Sequence, residues 1–390
     1  MSRFSGHKTA GEAVTVALLF AGFLYTGAMT VLLGLLLPRI AALHGLSDRQ
    51  AGALLATQAV CSATGALFVR HQFGRTLTAG YLLMAGGSAV LLIVPAWSDI
   101  LAIGAFGLGL GMAMTSTSIV VGRLFPDARG SALSLLNLSW SAGAAVCPLV
   151  VARIPGHFSA MAVCIPIAAC AALLALLIGP RTIRKVASVP QQESAVTGLS
   201  WTALLLFSAL GFLYVGAEST LGGWMTTYAT RDVLWNFQKS NLAAGCFWGA
   251  MLVGRAVTPL FLRSVSERRL HLAAIVAACL GTLVLVVART PAALVTGASW
   301  TGFALAPIYP LTIALFLERA GESRNTGWVF AAAGYGGALF PGLTGLVSTD
   351  MHSLSTGLLI PLAAATAMLP LALWLPKAPG ASATRMAAQP

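Results

Sequence analysis

Apolar stretches of about twenty residues, parted by short polar breaks, run from one end of the chain to the other. About twelve of them are long enough to cross a bilayer as helices, since the hydrocarbon core needs about 20 apolar residues at helical rise. They fall at roughly 14–37, 50–69, 76–97, 100–122, 130–151, 158–178, 202–229, 241–262, 270–288, 292–317, 326–348 and 354–375. The breaks carry loop chemistry, as in Arg70-His71-Gln72-Phe73-Gly74-Arg75, Trp97-Ser98-Asp99, Pro126-Asp127-Ala128-Arg129 and Ile154-Pro155-Gly156-His157. Ser47-Asp48-Arg49-Gln50 is a capping-box pattern opening the second helix. The longest internal break, near Arg181 to Ser200, divides the chain at its middle. An all-α integral membrane protein is predicted, with residues 1–185 as one six-helix bundle, 186–200 as a linker and 201–390 as a second bundle.

Composition agrees with this pattern. Of 390 residues, 57% are apolar and 9% charged, and the mean hydropathy is +0.85. A soluble chain of this length would carry about 25% charged residues. The net charge of +12 does not point to nucleic acid, because the basic residues form no face or run interleaved with aromatics. They sit instead between apolar stretches. With both termini cytoplasmic, 16 Lys and Arg lie inside, 6 outside and one, Arg255, within a span. The positive-inside rule therefore sets the orientation and makes the middle break cytoplasmic. The polar segment Met1 to Ala13 has no cleavage pattern, so no signal peptide is expected. Cys61, Cys147, Cys164, Cys170, Cys246 and Cys279 all fall in apolar stretches without a CxxC pair, and read as packing residues with no metal.

The two halves repeat. Gly22-Phe23-Leu24-Tyr25-Thr26-Gly27-Ala28-Met29 recurs as Gly211-Phe212-Leu213-Tyr214-Val215-Gly216-Ala217-Glu218, with six identities in eight positions at an offset of 189. Gly143-Ala144-Ala145-Val146-Cys147-Pro148 recurs loosely as Gly336-Gly337-Ala338-Leu339-Phe340-Pro341 at an offset of 193. Spans one and five thus match spans seven and eleven. A duplicated six-helix unit explains both, and two parallel repeats flanking a midplane site is a transporter architecture.

Several motifs carry a resemblance. Tyr214-Val215-Gly216-Ala217-Glu218 with Gly222-Gly223-Trp224 and Tyr228, then Phe247-Trp248-Gly249-Ala250-Met251-Leu252-Val253-Gly254-Arg255, then Ala306-Pro307-Ile308-Tyr309-Pro310 ending in Leu317-Glu318-Arg319, resemble helices seven, eight and ten of the major facilitator superfamily. More narrowly they are similar to its fucose permease-type branch of fucose, galactose and glucose proton symporters. The resemblance implies the major facilitator fold, two pseudo-symmetric six-helix bundles, a bacterial inner membrane location and coupling to protons. This chain also departs from the pattern. The family's Asp between helices two and three is missing, with Val69, Arg70 and His71 in its place. The acids or amides of the symporters' first and fourth helices are replaced by Met29 and Thr115-Ser116-Thr117-Ser118.

Enzyme chemistry has no support, since neither His-Glu-x-x-His nor Gly-x-Ser-x-Gly occurs. All six histidines fall in loops or at span ends, and Gly107-Leu108-Gly109-Leu110-Gly111 lies inside a span, where it reads as close helix packing. Polar and aromatic residues within spans are the candidates for holding a small polar solute. They are Tyr25, Asn137, Trp140, Tyr214, Trp224, Trp248, Tyr309 and Tyr335, with Gln58 and Ser139 beside them. Two charges lie deep in spans. Arg255 sits about 12 Å from the cytoplasmic end of span eight, taking 1.5 Å per residue from Arg263. It is expected to snorkel and pin a gate, or to pair with Glu218 or an anionic solute. Glu218 lies about 16 residues into span seven, while the other ten acids fall in loops, tails or span ends. Burial destabilises an ionised carboxylate, so such a group can exchange a proton as its surroundings change. Glu218 is the expected proton-coupling residue.

The expected function is secondary active transport of a small polar solute, sugar-like or another metabolite, by alternating access and proton symport. Proton-driven efflux of a drug or metabolite is the alternative. A monomer in the bilayer, with no cofactor beyond the proton gradient and no nucleic acid, completes the expectation.

Overall fold

The computed structural model describes residues 10–69, 72–91, 99–125, 129–154, 160–186, 200–320 and 326–375. Among them the chain is helical throughout: α1 (Ala10–His44), α2 (Asp48–Leu67), α3 (Phe73–Val90), α4 (Asp99–Leu124), α5 (Arg129–Ala152), α6 (Ala160–Val186), α7 (Trp201–Arg231), α8 (Phe237–Phe261), α9 (Glu267–Val287), α10 (Pro291–Leu305), α11 (Ile308–Ala320), α12 (Thr326–Asp350), α13 (Leu354–Gly357) and α14 (Leu359–Leu373). Eight spans among the described residues are long and apolar enough to cross a membrane on their own. Lipid offers no partner to a backbone amide, so each span satisfies its own polar groups as a helix. The linker expected at 186–200 lies, for residues 187–199, outside those described.

Helix ends follow local chemistry. The Ser47 hydroxyl accepts from the Gln50 amide, and the Gln50 side chain accepts from the Ser47 amide at 2.9 Å, as the capping-box pattern predicts. Ser200, Asn236, Thr290 and Ser353 cap α7, α8, α10 and α13 in the same sense. One expectation needs correction. Span one does not stop at 37, because α1 absorbs Pro38 and runs on to His44. Span ten is a single span, Pro291–Phe316, as expected, and within it the helix parts at Ala306-Pro307 into α10 and α11, because Pro307 has no amide hydrogen to continue the ladder.

The repeat is visible in the packing. In the first bundle α1 packs on α5, α2 on α4, and α3 on α4 and α6; in the second α7 packs on α12, α8 on α10, and α9 on α10 and α14. Each pairing in one bundle has its counterpart in the other. Gly143 lies against the Leu24 carbonyl, and its repeat partner Gly336 lies against the carbonyl of Phe212. The bundles meet along α2–α12, α5–α8 and α1–α7, which is the set a two-fold relation generates.

Small residues let the backbones approach, since lipid is as apolar as leucine and adds no hydrophobic drive between helices. In α4, Gly107 and Gly111 abut the backbone of Gln58 and Ser62 in α2, and Gly109 abuts Gly80 in α3. The glycine run in span four is therefore a packing surface. His271, placed by sequence at a span end, is fully buried and bonds Thr312 of α11 at 2.9 Å. All six cysteines are free.

Charged contacts between the bundles cluster at the end that carries the α1–α2 turn. Arg231 of α7 grips Asp48 of α2 with two bonds of 2.6 and 2.8 Å, and Ser348 of α12 donates to the same carboxylate. Arg49 pairs with Asp350 at 3.1 Å, and its amide donates to Thr349. The Arg39 guanidinium of α1 lies 4.0 Å over the Phe237 ring of α8. Burial pushes the Asp48 pKa up, but the bonds from Arg231 and Ser348 and the Arg231 charge outweigh it and hold it below its ordinary value. Asp232 goes the other way: burial dominates and raises its pKa despite Arg231, Ser355 and Arg289.

Asp48→Asn should therefore destabilise the fold by about 1–3 kcal/mol, read as a lower unfolding temperature in detergent. Adding Arg231→Gln should cost little more, because the two groups act on each other. A depressed carboxyl pKa makes the stabilisation complete above the ordinary carboxylate range and lost as pH falls through the folded value. The difference between wild type and Asp48→Asn should vanish in strong acid.

Candidate functional site: a buried ion pair between the bundles

The site grows from α7. Tyr214 and Glu218 stand one turn apart on the same helix face, and the Tyr214 hydroxyl donates to Glu218 Oε1 at 3.1 Å. Arg255 of α8 reaches the same oxygen with Nη2 at 3.0 Å. Its Nη1 crosses to the first bundle and donates to Ser141 Oγ of α5 at 2.7 Å. The ion pair is nearly enclosed, with Arg255 and Glu218 side chains 16% and 11% exposed. A buried charge is tolerated when paired, and removing one partner of such a pair costs about 3–5 kcal/mol. The pair therefore holds α7, α8 and α5 in one arrangement.

Aromatic rings surround it. The Arg255 guanidinium lies 5.6 Å from the centre of the Trp140 ring, within cation–π range. Trp140 of α5 meets Trp248 of α8 edge-on at 5.9 Å, and Tyr214 stacks on Tyr309 of α11 at 5.4 Å. Trp248 is seated by Gly222, one turn beyond Glu218, where any side chain would meet its indole ring.

Six of the candidates thus come together: Glu218, Arg255, Tyr214, Tyr309, Trp140 and Trp248. Four do not. Trp224 is fully buried and donates to the Pro341 carbonyl at 3.1 Å, which makes it a brace between α7 and α12. Tyr25 donates to the Ile167 carbonyl at 2.9 Å and packs beside Tyr81 inside the first bundle. Tyr335 shares an exposed stripe of α12 with Leu339 and Leu346, while neighbouring Gly336 and Gly337 face α7. Asn137 lies one turn from Ser141 on the same side of α5, is exposed, and bonds its own helix at Leu133. Of their neighbours, Gln58 bonds the Thr30 carbonyl and Ser139 bonds Leu136. Ser141 is the residue sequence reasoning missed as a ligand. Its only signal was adjacency to Trp140, and its meeting with Arg255 comes from how α5 and α8 cross. A separate cavity of about 520 Å³ lies within the first bundle, among Leu32, Leu36, Phe106 and Ile167. Its wall is mainly apolar but includes Arg39, His44, Gln58 and Ser88, and it does not touch the cluster.

The Major Facilitator Superfamily profile matches residues 18–326, and the chain belongs to that family. Membership of that family points to a transporter rather than to an enzyme. The chain is 27% identical over 248 residues to an uncharacterized MFS-type transporter, YfkL, of Bacillus subtilis (strain 168), a match covering 58% of this chain and 60% of that protein. Among solved structures it resembles the transporter FucP in its outward conformation, with TM-score 0.61 and 18% identity over 94% of this chain and all of that one. It also resembles a variant of the E. coli fucose:proton symporter FucP, with TM-score 0.58 and 16% identity over 95% of this chain and all of that one. Likeness at this identity establishes the architecture.

Gly222→Ala should push against the Trp248 ring and destabilise the protein by about 1–3 kcal/mol, the ordinary range for overpacking. Trp248→Leu in the same chain should restore most of the loss. Unfolding temperatures of the two single variants and the double variant measure the coupling.

Proposed function

We propose that this transporter moves a small polar solute across the bacterial inner membrane by alternating access, in symport with protons, with Glu218 as the proton carrier. The supporting observation is the placement of Glu218: a nearly enclosed carboxylate whose partner, Arg255, also holds the opposite bundle through Ser141. Protonating Glu218 removes one charge of the pair and changes what Arg255 must bind. Through Ser141 that change reaches the contact between bundles, which is what coupling a proton to rocking requires. The bias of basic residues puts both termini in the cytoplasm and the Asp48–Arg231 clamp outside. In that orientation the bundles are latched at their outer end, and Asn137 is exposed one turn towards the inner end.

Proton-driven efflux is the second reading, favoured because α1 and α4 carry acids only near their starts, Glu12 and Asp99. It would use the same carboxylate in the opposite order. The chain acts as a monomer with the proton gradient as its driving force.

Everted and right-side-out vesicles loaded with a pH dye and given a panel of small metabolites separate the two directions. Glu218→Gln keeps shape and hydrogen bonds but cannot ionise. It should abolish solute accumulation driven by a pH gradient while sparing solute exchange; wild-type accumulation in that variant would overturn the proposal. Arg255→Lys should weaken solute binding about tenfold or more, because lysine lacks the guanidinium fork and a hydrogen bond to a charged group is worth about 1.5–3 kcal/mol. Unchanged affinity would remove Arg255 from solute recognition.

A further inference from the structure

Three donors at the cluster have no partner. Trp140 Nε1, Trp248 Nε1 and Arg255 Nε are all buried from solvent and bond nothing. An indole N–H can only donate, and so can a guanidinium. Three unmet donors, on Arg255, on Trp140 beside it and on Trp248 against Trp140, call for a ligand that brings acceptors. The pattern on Arg255 is specific: Nη1 is taken by Ser141 and Nη2 by a single Glu218 oxygen, while Nε is empty. The Nε–Nη2 edge is the side of a guanidinium that grips a carboxylate with two parallel bonds, and Glu218 uses half of it.

The charges set the order. With Glu218 ionised the site is neutral, and an added anion would be buried without compensation. With Glu218 protonated the site carries the Arg255 charge alone, and one carboxylate restores neutrality. The titratable or charged groups that face Glu218 are few. Tyr214 comes from its own helix, Arg255 from α8, and Tyr309 from α11. On the other helices packed against α7, α14 carries no titratable residue. Tyr25 of α1 bonds Ile167, and Tyr335 and Asp350 of α12 lie on the exposed stripe and in the Arg49 pair.

We infer that the solute is a small monocarboxylate, and that it binds with the proton as a neutral pair. This rests on the reading of Glu218 as the proton carrier. One proton adds to Glu218, Nη2 leaves it, and the solute carboxylate takes Nη2 and Nε of Arg255 together with the two indole N–H groups. Half-loaded states leave a buried charge unpaired, so proton and anion cross together without net charge movement. A neutral hydroxylated solute would not require the proton.

The test uses the purified full-length protein and a panel of small monocarboxylates, each with its neutral counterpart, including benzoate with benzamide and D-glucuronate with D-glucose. Calorimetry in mildly acid and mildly alkaline buffer should find acids that bind while their counterparts do not. In wild type the affinity should fall about tenfold per pH unit once Glu218 is ionised, as one linked proton requires. In Glu218→Gln, which mimics the protonated state, binding of the same acid should be independent of pH and as tight as wild type in acid. Trp248→Phe keeps the ring, removes the N–H and should weaken the acid several-fold. Neutral counterparts binding as well as the acids, no acid in the panel binding, or acid binding lost in a folded Glu218→Gln would each overturn the inference. Infrared titration of wild type minus Glu218→Gln separates the two levels. A titrating carboxyl band without acid binding rejects the carboxylate solute alone, whereas no titrating band rejects Glu218 as proton carrier.

Discussion

An arginine and a glutamate placed where water is scarce organise this molecule. Neither charge is stable alone between the helices, so each constrains the other, and the pair constrains α7 and α8. Because Arg255 also donates to Ser141, the constraint extends across the junction to α5. The aromatic shell follows from the same requirement: rings exclude water from the pair, and the face of Trp140 adds favourable potential to the guanidinium. A single proton on Glu218 would therefore change an interface between bundles.

The scaffold makes such an interface possible by being rigid within each bundle. Alternate glycines of α4 bring α2 and α3 to backbone contact, and dense packing of this kind transmits displacement instead of absorbing it. Between the bundles glycines also bring backbones together, Gly34 against Gly223 and Gly52 against Gly345. The junction runs along α2–α12, α5–α8 and α1–α7, with a polar latch at one end made by Asp48, Arg231 and Ser348. Ion pairs partly open to water can separate and be resolvated at modest cost. A latch of that kind suits a contact that must form and part.

Much was legible along the chain because the deciding signals are local. Hydrophobic length marks a span, a capping box marks a helix start, and a lone acid such as Glu218 in an apolar stretch marks a site, since lipid penalises an unpaired charge wherever the helix faces. The repeat of Gly22–Met29 in Gly211–Glu218 likewise survives as matched residues. The effect of proline was not legible at two places. Pro38 stayed inside α1 and Pro307 parted the helix within span ten, since the neighbours available to replace a lost amide bond differ and the sequence does not show them.

Span number, the family resemblance, the two-bundle plan and the two buried charges were determined by the sequence itself. Which aromatics surround the charges was decided only in three dimensions. In soluble helices a polar face tells which side looks inward, but a helix bathed in lipid is apolar on its outer side too, so periodicity carries little facing information. Tyr25 and Trp224 read as solute ligands because they are polar and deep, yet each gives its donor to a backbone carbonyl. Ser141 read as ordinary, yet it meets Arg255 because α5 and α8 cross there. Composition places a residue in the membrane; helix rotation and the crossing of the two bundles decide what it touches.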